Sequence, residues 1–232
     1  MPRHKMNRIS AASVILGALT ALILSPRAVH SQADPGQLPS FTAEWWQWAY
    51  SFPNSQTPLN DATGERCMYG QHGSLWFLAG NQQRNEPRTC SVPEDVTLLF
   101  PVINTSNFFV KKQCGNGANK PTLKELRKEV AAFIDPVDPR LLFASIDNNS
   151  IKNLIQRVQS VPFPVALPDD NLCDFPGSVV PPGIYSPTVD DGYYVLLQPL
   201  VPGHYTLKFG STDPHFLQDN TYNLIVVPVS LE

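Results

Sequence analysis

The sequence predicts a mainly β protein, an antiparallel β-sandwich of jelly-roll or Ig-like type carrying one or two short helices. Short apolar or alternating runs such as "SLWFLAG", "VTLLFPVI" and "TYNLIVVPV" recur between clusters of turn-forming residues. The 23 prolines in 232 residues interrupt any long helix. Pro-Gly-x-Tyr occurs twice, at Pro182 to Tyr185 and Pro202 to Tyr205, each copy reading as a turn that feeds a strand.

In chain order, residues 1–33 read as a signal peptide. Arg3, Lys5 and Arg8 precede an apolar run of 16 residues, Ile9 to Leu24. That is short of the roughly 20 a membrane-spanning helix needs. Ser31 and Ala33 place cleavage after Ala33, with Ala28 and His30 as alternative cut points. The mature chain is expected in the periplasm or extracellular medium, with no membrane span. Residues 34–40, small, polar and proline-bearing, are expected to be a flexible lead-in, and residues 41–232 one disulfide-bonded sandwich domain. Four of the 17 basic residues (Arg3, Lys5, Arg8, Arg27) and none of the 20 acids lie in the leader. The mature chain therefore holds 13 basic against 20 acidic groups, a net charge of −7 that argues against nucleic-acid binding.

"FTAEWWQWAYSFP" predicts a short helix capped by Thr42, with Phe41, Trp45, Trp48 and Phe52 on one side and Trp46 and Tyr50 on the other. Aromatics nearly all round point to burial. "SLWFLAG" predicts a buried strand entered through Gly70-Gln71-His72-Gly73, a turn with a glycine at each end. A polar loop from Asn81 to Thr89 leads through Cys90 into a second buried strand, "VTLLFPVI", with Pro101 near its end. Pro121 to Glu125 opens a helix, Thr122 capping and Glu125 at the capping-box position. Leu123, Leu126, Val130 and Phe133 give its apolar face and Asp135-Pro136 its stop. "LLFASIDNNSIKNL" predicts a hairpin turning at Asp147-Asn148-Asn149, and Pro162 to Pro182 irregular chain. "YYVLLQPL", the alternating Tyr205, Leu207 and Phe209, and "TYNLIVVPV" supply the last strands.

In an oxidising compartment the four cysteines imply two disulfides. Of the three pairings, Cys67 with Cys90 and Cys114 with Cys173 is preferred. The first brackets a strand pair, and the second would staple the charged middle segment to the later sheet. The shorter bridge contributes ~3 kcal/mol on loop entropy. No C-x-x-C or Cys/His cluster suggests a metal, and no cofactor motif is present.

"EWWQWA", "TGERCMYGQHGSLWFLAG", "RTCSVPEDVTLLFPVIN" and "DGYYVLLQPLVPGHYTLKFG" resemble a group of exported bacterial proteins of unassigned activity. The matching positions are Glu44, Trp45 and Trp46; Thr63, Gly64, Cys67, Gly70, Gln71 and Gly73; Cys90, Val92 and Pro93; Asp191, Gly192 and Tyr193; and Pro202, Gly203 and His204. The resemblance implies export and a shared fold. It transfers no catalytic residue.

Functional readings stand beside plainer ones. Trp45, Trp46, Trp48 and Tyr50 are the candidate ligand-binding residues, a platform for sugar rings, unless the helix is buried against the sandwich. No catalytic residue is assigned; Glu44, Asp61, His72 and His204 are the candidates if the chain is an enzyme, and Asp95 could complete a carboxylate pair. His72 and Gln71 read first as a sheet corner, the glutamine bonding the loop backbone. The basic residues between Lys111 and Lys128 could meet an anionic surface or be the solvated face of the Thr122 helix. Asn104-Thr-Ser and Asn148-Asn-Ser match the glycosylation pattern. The reading is a secreted or periplasmic non-catalytic binding or structural module with an envelope or extracellular polysaccharide as ligand. A glycan-directed hydrolase or lyase, and a structural envelope protein with a protein partner, are the alternatives.

Overall fold

The computed structural model describes residues 34–80, 87–109, 120–173 and 179–229. The expected signal peptide, the residues Lys111, Lys112 and Cys114, and with Cys114 the second disulfide, lie outside the described residues. Among the described residues no helix is long and apolar enough to cross a membrane.

The described residues open with helix at Pro35, where the sequence suggested a flexible lead-in. Asp34 caps a 3-10 turn, Pro35–Gln37, that runs directly into α1 (Leu38–Tyr50). Pro39 sits in the first helical turn, where a missing N–H leaves no bond unmade, so α1 starts four residues before the Thr42 cap expected from sequence. Thr42 is instead fully buried within the helix.

Among the described residues ten strands form two five-stranded sheets that face each other, a β-sandwich with two α-helices. They are β1 (Leu75–Phe77), β2 (Arg88–Pro93), β3 (Thr97–Phe108), then, after α2 (Leu123–Ile134), β4 (Leu142–Ile146), β5 (Asn149–Ser150), β6 (Ile155–Gln159), β7 (Phe163–Leu167), β8 (Gly183–Leu197), β9 (Gly203–Ser211) and β10 (Gln218–Val227). Sheet A runs β1-β3-β8-β6, with β7 also paired to β8; sheet B runs β2-β10-β9-β4-β5. Most pairs are antiparallel, as expected. Two edge strands are not: β1 runs parallel to β3, and β2 parallel to β10. The chain leaves sheet A after β1, builds β2 in sheet B and returns as β3, and such a crossover is what a parallel pair requires.

Sheet A is buried on both faces. One face, with Phe77, Leu99, Tyr194 and Leu196, packs under α1. The other, with Leu98, Phe100, Val195 and Leu197, packs on Leu207, Phe209, Tyr222 and Leu224 of sheet B. Beyond the reach of sheet B, α2 covers the remaining length of β3 and β8, with Val189 against Leu126 and Val130.

Several expectations need correction. β2 is a strand of its own where the sequence suggested loop, because Cys90 and Val92 face the sandwich core while parallel pairing to β10 satisfies its backbone. β3 continues past Pro101 to Phe108, the proline sitting mid-strand where the register shifts between Pro101 and Ile103, a bulge that tolerates the missing N–H. The region expected to be irregular contains β7, whose Phe163, Val165 and Leu167 point inward. Pro164 is accommodated where the pairing to β8 is itself irregular. In α2 the capping box of Thr122 and Glu125 is present, but the buried face is Leu126, Val130 and Ile134, at four-residue spacing. Leu123 and Phe133 are exposed.

The predicted hairpin forms in shortened shape: Asp147 and Asn148, both of positive φ, make a two-residue loop. Asn149 already belongs to the two-residue return strand, and a 3-10 turn, Lys152–Leu154, follows where more strand was expected. Both Pro-Gly-x-Tyr copies open strands with one shared device. Tyr185 donates its hydroxyl to the Pro181 carbonyl (2.6 Å) and Tyr205 to that of Val201 (3.0 Å), in each case four residues back. Gly203 does not adopt a positive φ, and a Cβ there would meet the Tyr205 ring at 3.5 Å, an ordinary contact.

Leu126→Ala should lower unfolding free energy by ~2–5 kcal/mol, and Phe133→Ala by under about 1 kcal/mol, in urea denaturation followed by tryptophan fluorescence. Equal losses would contradict the observed helix face.

Candidate functional site

The aromatic residues of α1 are not a platform. Trp45 is 1% exposed, Trp46 9%, Trp48 6% and Tyr50 8%. Trp45 donates its indole N–H to the Leu78 carbonyl at 3.0 Å, and its ring meets those of Trp46 and Trp48 edge to face. Trp46 stacks on Tyr50, which packs edge-on against Phe108 of β3. Rings cover every side of α1 except that of Glu44, Gln47 and Ser51. The surrounding strands and the 51–80 segment therefore enclose it, and enclosed rings cannot stack on a polymer.

The same enclosure builds a cleft of about 280 Å³. Glu44, Gln47 and Ser51 recur along α1 at three- and four-residue spacing and so share one face, the face that borders the cleft. Opposite them stand Gly70 and His72 of the turn before β1, with Trp48 and Phe77 as the aromatic floor. The structure thus brings together an acid and a histidine of the enzyme alternative, Glu44 and His72, 28 apart in sequence. Glu44 is open to solvent at the rim. Desolvation by the surrounding walls still raises its carboxyl above the ordinary value, with the charge of His72 acting in the opposite direction.

The loop that carries His72 is held at several points. The predicted bond between Cys67 and Cys90 is present. Gln71 behaves as a surrogate strand: its amide donates to the carbonyls of Cys67 (2.9 Å) and Phe77 (2.7 Å) and accepts from the Phe77 N–H (2.9 Å). The plain reading of Gln71 as a corner residue therefore holds, while its neighbour His72 also lines the cleft. Trp48 donates to the Tyr69 carbonyl at 2.8 Å. Gly70 has φ +64°, and a Cβ there would sit 2.8 Å from Cζ of Phe52. No other residue fits without displacing that ring.

The other candidates are placed elsewhere. Asp61, 6% exposed, is engaged by its own loop, accepting from the N–H groups of Thr63, Gly64 and Arg66 and from the Thr63 hydroxyl. Burial alone would raise its carboxyl, but these bonds outweigh burial and hold it below the usual 3.8. His204 is exposed on β9 of sheet B, paired with Ile225, whereas Glu44 lies on α1 beyond sheet A. Asp95 is half-buried in the turn between β2 and β3. Lys120, Lys124 and Lys128 are exposed, as a solvated helix face requires. Arg127 instead turns inward and donates to the main-chain carbonyls of Asp190 and Ser160. Asn104 is tied to the Tyr194 hydroxyl at 3.0 Å within sheet A. Among the described residues no three or more His, Cys, Asp or Glu gather as a metal site would need.

Two carboxylates that sequence reading did not single out for chemistry lie side by side on β8, both fully buried. Asp191 faces α2 and sheet B and is paired by Arg157 through two bonds (3.0 and 2.8 Å), with Gln159 at 2.9 Å. Asp190 faces α1, where its bonded neighbour is the Tyr194 hydroxyl at 2.9 Å. Burial pushes Asp190 up to about 8, with the Tyr194 and Thr42 hydroxyls offsetting only part and the Asp191 charge adding to it. At neutral pH it keeps its proton. Alternation along one strand sets the two surroundings: Asp191 lies against the Arg157 guanidinium, Asp190 on the aromatic side, where burial holds its proton.

No known protein family, curated protein or solved structure matches the chain.

Because the folded-state value of Asp190 lies above the unfolded one, its contribution to stability is complete below about pH 4 and is lost as pH rises through about 8. The urea midpoint should therefore fall between pH 5 and pH 9. Asp190→Asn, which keeps the shape of the protonated acid, should flatten that fall, and an unchanged slope in the variant would refute the assignment.

Proposed function

We propose that the protein is an exported, non-catalytic binding module that takes a ring of an envelope or extracellular glycan in the Glu44–His72 cleft. The observation that carries this reading is the cleft itself, where polar groups of one α1 face and one turn stand over an aromatic floor. A sugar ring has hydroxyls suited to Glu44, Gln47, Ser51 and His72, while the buried Trp48 and Phe77 line the bottom of the cleft. The buried disulfide and the β-sandwich support function in an oxidising compartment.

A second reading, hydrolysis or elimination on a glycan, is favoured by one feature: Glu44, with its carboxyl raised by desolvation, shares the cleft with His72. The binding reading ranks above it because the other acid candidate, Asp61, is committed to its own loop, and Glu44 is the carboxylate that lines the cleft. A pair of carboxylates of the kind used in most glycosidic cleavage does not meet in the cleft.

The purified, oxidised protein is mixed with insoluble peptidoglycan, chitin or cellulose, and loss from the supernatant and release of soluble saccharides are measured in one tube. The expected result is depletion without soluble products, with Glu44→Gln and His72→Ala each weakening binding by about tenfold. Soluble products that vanish in Glu44→Gln would replace this reading with the enzyme. Absence of depletion on all three polymers would end the glycan reading in favour of a protein partner.

A further inference from the structure

At about 280 Å³ the cleft lies just under the roughly 300–1,000 Å³ of pockets that enclose drug-sized ligands, so it holds little more than one ring of a longer chain. What surrounds it decides where a neighbouring ring could go. On one side Gln47 donates to the Pro164 carbonyl at 3.0 Å, tying α1 to β7 and occupying that edge with protein. On the other side is the turn that carries Gly70 and His72, and the residues immediately before Gly70 are Met68 and Tyr69, 50% and 49% exposed.

An aromatic residue half open to solvent is ordinary on a loose loop. Here the backbone beneath it is fixed at several points: the disulfide at Cys67, the Trp48 indole on the Tyr69 carbonyl, the three Gln71 bonds and the tight packing of Gly70 on Phe52. A tyrosine presented on a backbone held this way loses little conformational freedom when a ring stacks on it, which is why such side chains carry binding energy efficiently.

We infer that Tyr69 forms a second subsite that stacks the sugar next to the one held in the Glu44–His72 cleft, so that the ligand is an oligosaccharide chain and not a free monosaccharide. The inference rests on the glycan reading of the cleft and names the ligand class within it. Tyr69 adds affinity only for a ligand long enough to leave the cleft. The cleft residues act on monomer and oligomer alike.

The test is calorimetric titration of the full, oxidised chain with four probes: N-acetylglucosamine, glucose and the β-1,4-linked tetramer of each. The wild type is expected to bind one tetramer at least about tenfold more tightly than its monomer. Tyr69→Ala should abolish that gain and leave the monomer constant unchanged, and Tyr69→Phe, which retains the ring, should keep it. Equal affinity of the wild type for monomer and tetramer, or a tetramer constant untouched in Tyr69→Ala, would remove the subsite while the cleft reading stands. Monomer and tetramer weakened alike in Tyr69→Ala would assign Tyr69 to holding the loop and also overturn the subsite. A wild type that binds none of the four probes would end the cleft reading and this inference together.

Discussion

The structure depends on enclosing β8 from Thr188 to Leu197 on every side. Its 15 residues pair with β3 along one edge and with β6 and β7 along the other, while α1 closes one face and sheet B with α2 the opposite face. A strand so enclosed must satisfy each polar group locally, since water cannot. That demand falls hardest on Asp190 and Asp191. Each faces a different layer and each layer answers differently, one with the Arg157 guanidinium and the other with burial that favours a proton-bearing acid, an effect the Tyr194 hydroxyl offsets only in part. Gly192 follows them because a Cβ there would sit 2.6 Å from that of Asn104 on β3.

A second set of contacts ties the strand-poor segment 51–80 to this sandwich. Arg88, 2% exposed, donates to the carbonyls of Ala79 and Leu59 and to the Tyr222 hydroxyl, while its guanidinium lies 5.5 Å from the Tyr222 ring centroid. One buried side chain thereby joins the chain after β1, the turn at Leu59 and the central strand β10 of sheet B. Two residues along β2, Cys90 makes the covalent link to the same segment. With Asp61 organising its own turn and Gln71 completing the edge of β1, the segment behaves as part of the domain and not as an appended loop.

That rigidity connects fold to function. Binding groups on a fixed backbone lose less freedom when a ligand arrives, and the two walls of the cleft are fixed by different means. The α1 wall is held by four buried aromatic rings, the turn wall by a disulfide and side-chain bonds to backbone. Trp48 takes part in both, its ring packed on Phe77 and its N–H bonded to the Tyr69 carbonyl. The aromatic residues thus serve the site mainly by positioning polar groups, a different role from the open stacking surface their composition suggests.

Local chemistry was legible in the sequence by itself: the Thr122–Glu125 capping box, the Asp147-Asn148 hairpin, the Tyr205, Leu207, Phe209 alternation, the enclosure of an aromatic helix, the sandwich class and the Cys67–Cys90 bond. Each depends on neighbours in the chain or on patterns of period two and 3.6. Glu44 and His72 were legible as an acid and a histidine of the enzyme alternative; that these two meet, rather than Asp61 or His204, was not. Tertiary structure alone decided that β2 is a strand, since its partner β10 lies more than a hundred residues away, and that β3 passes through Pro101 on a bulge. It also decided which of two adjacent aspartates keeps a proton, and that Glu44, Gln47 and Ser51 face His72 across one cleft. The physical reason is common to all four: burial, pairing and dielectric environment belong to the space between elements, and spacing along the chain carries no record of what stands opposite.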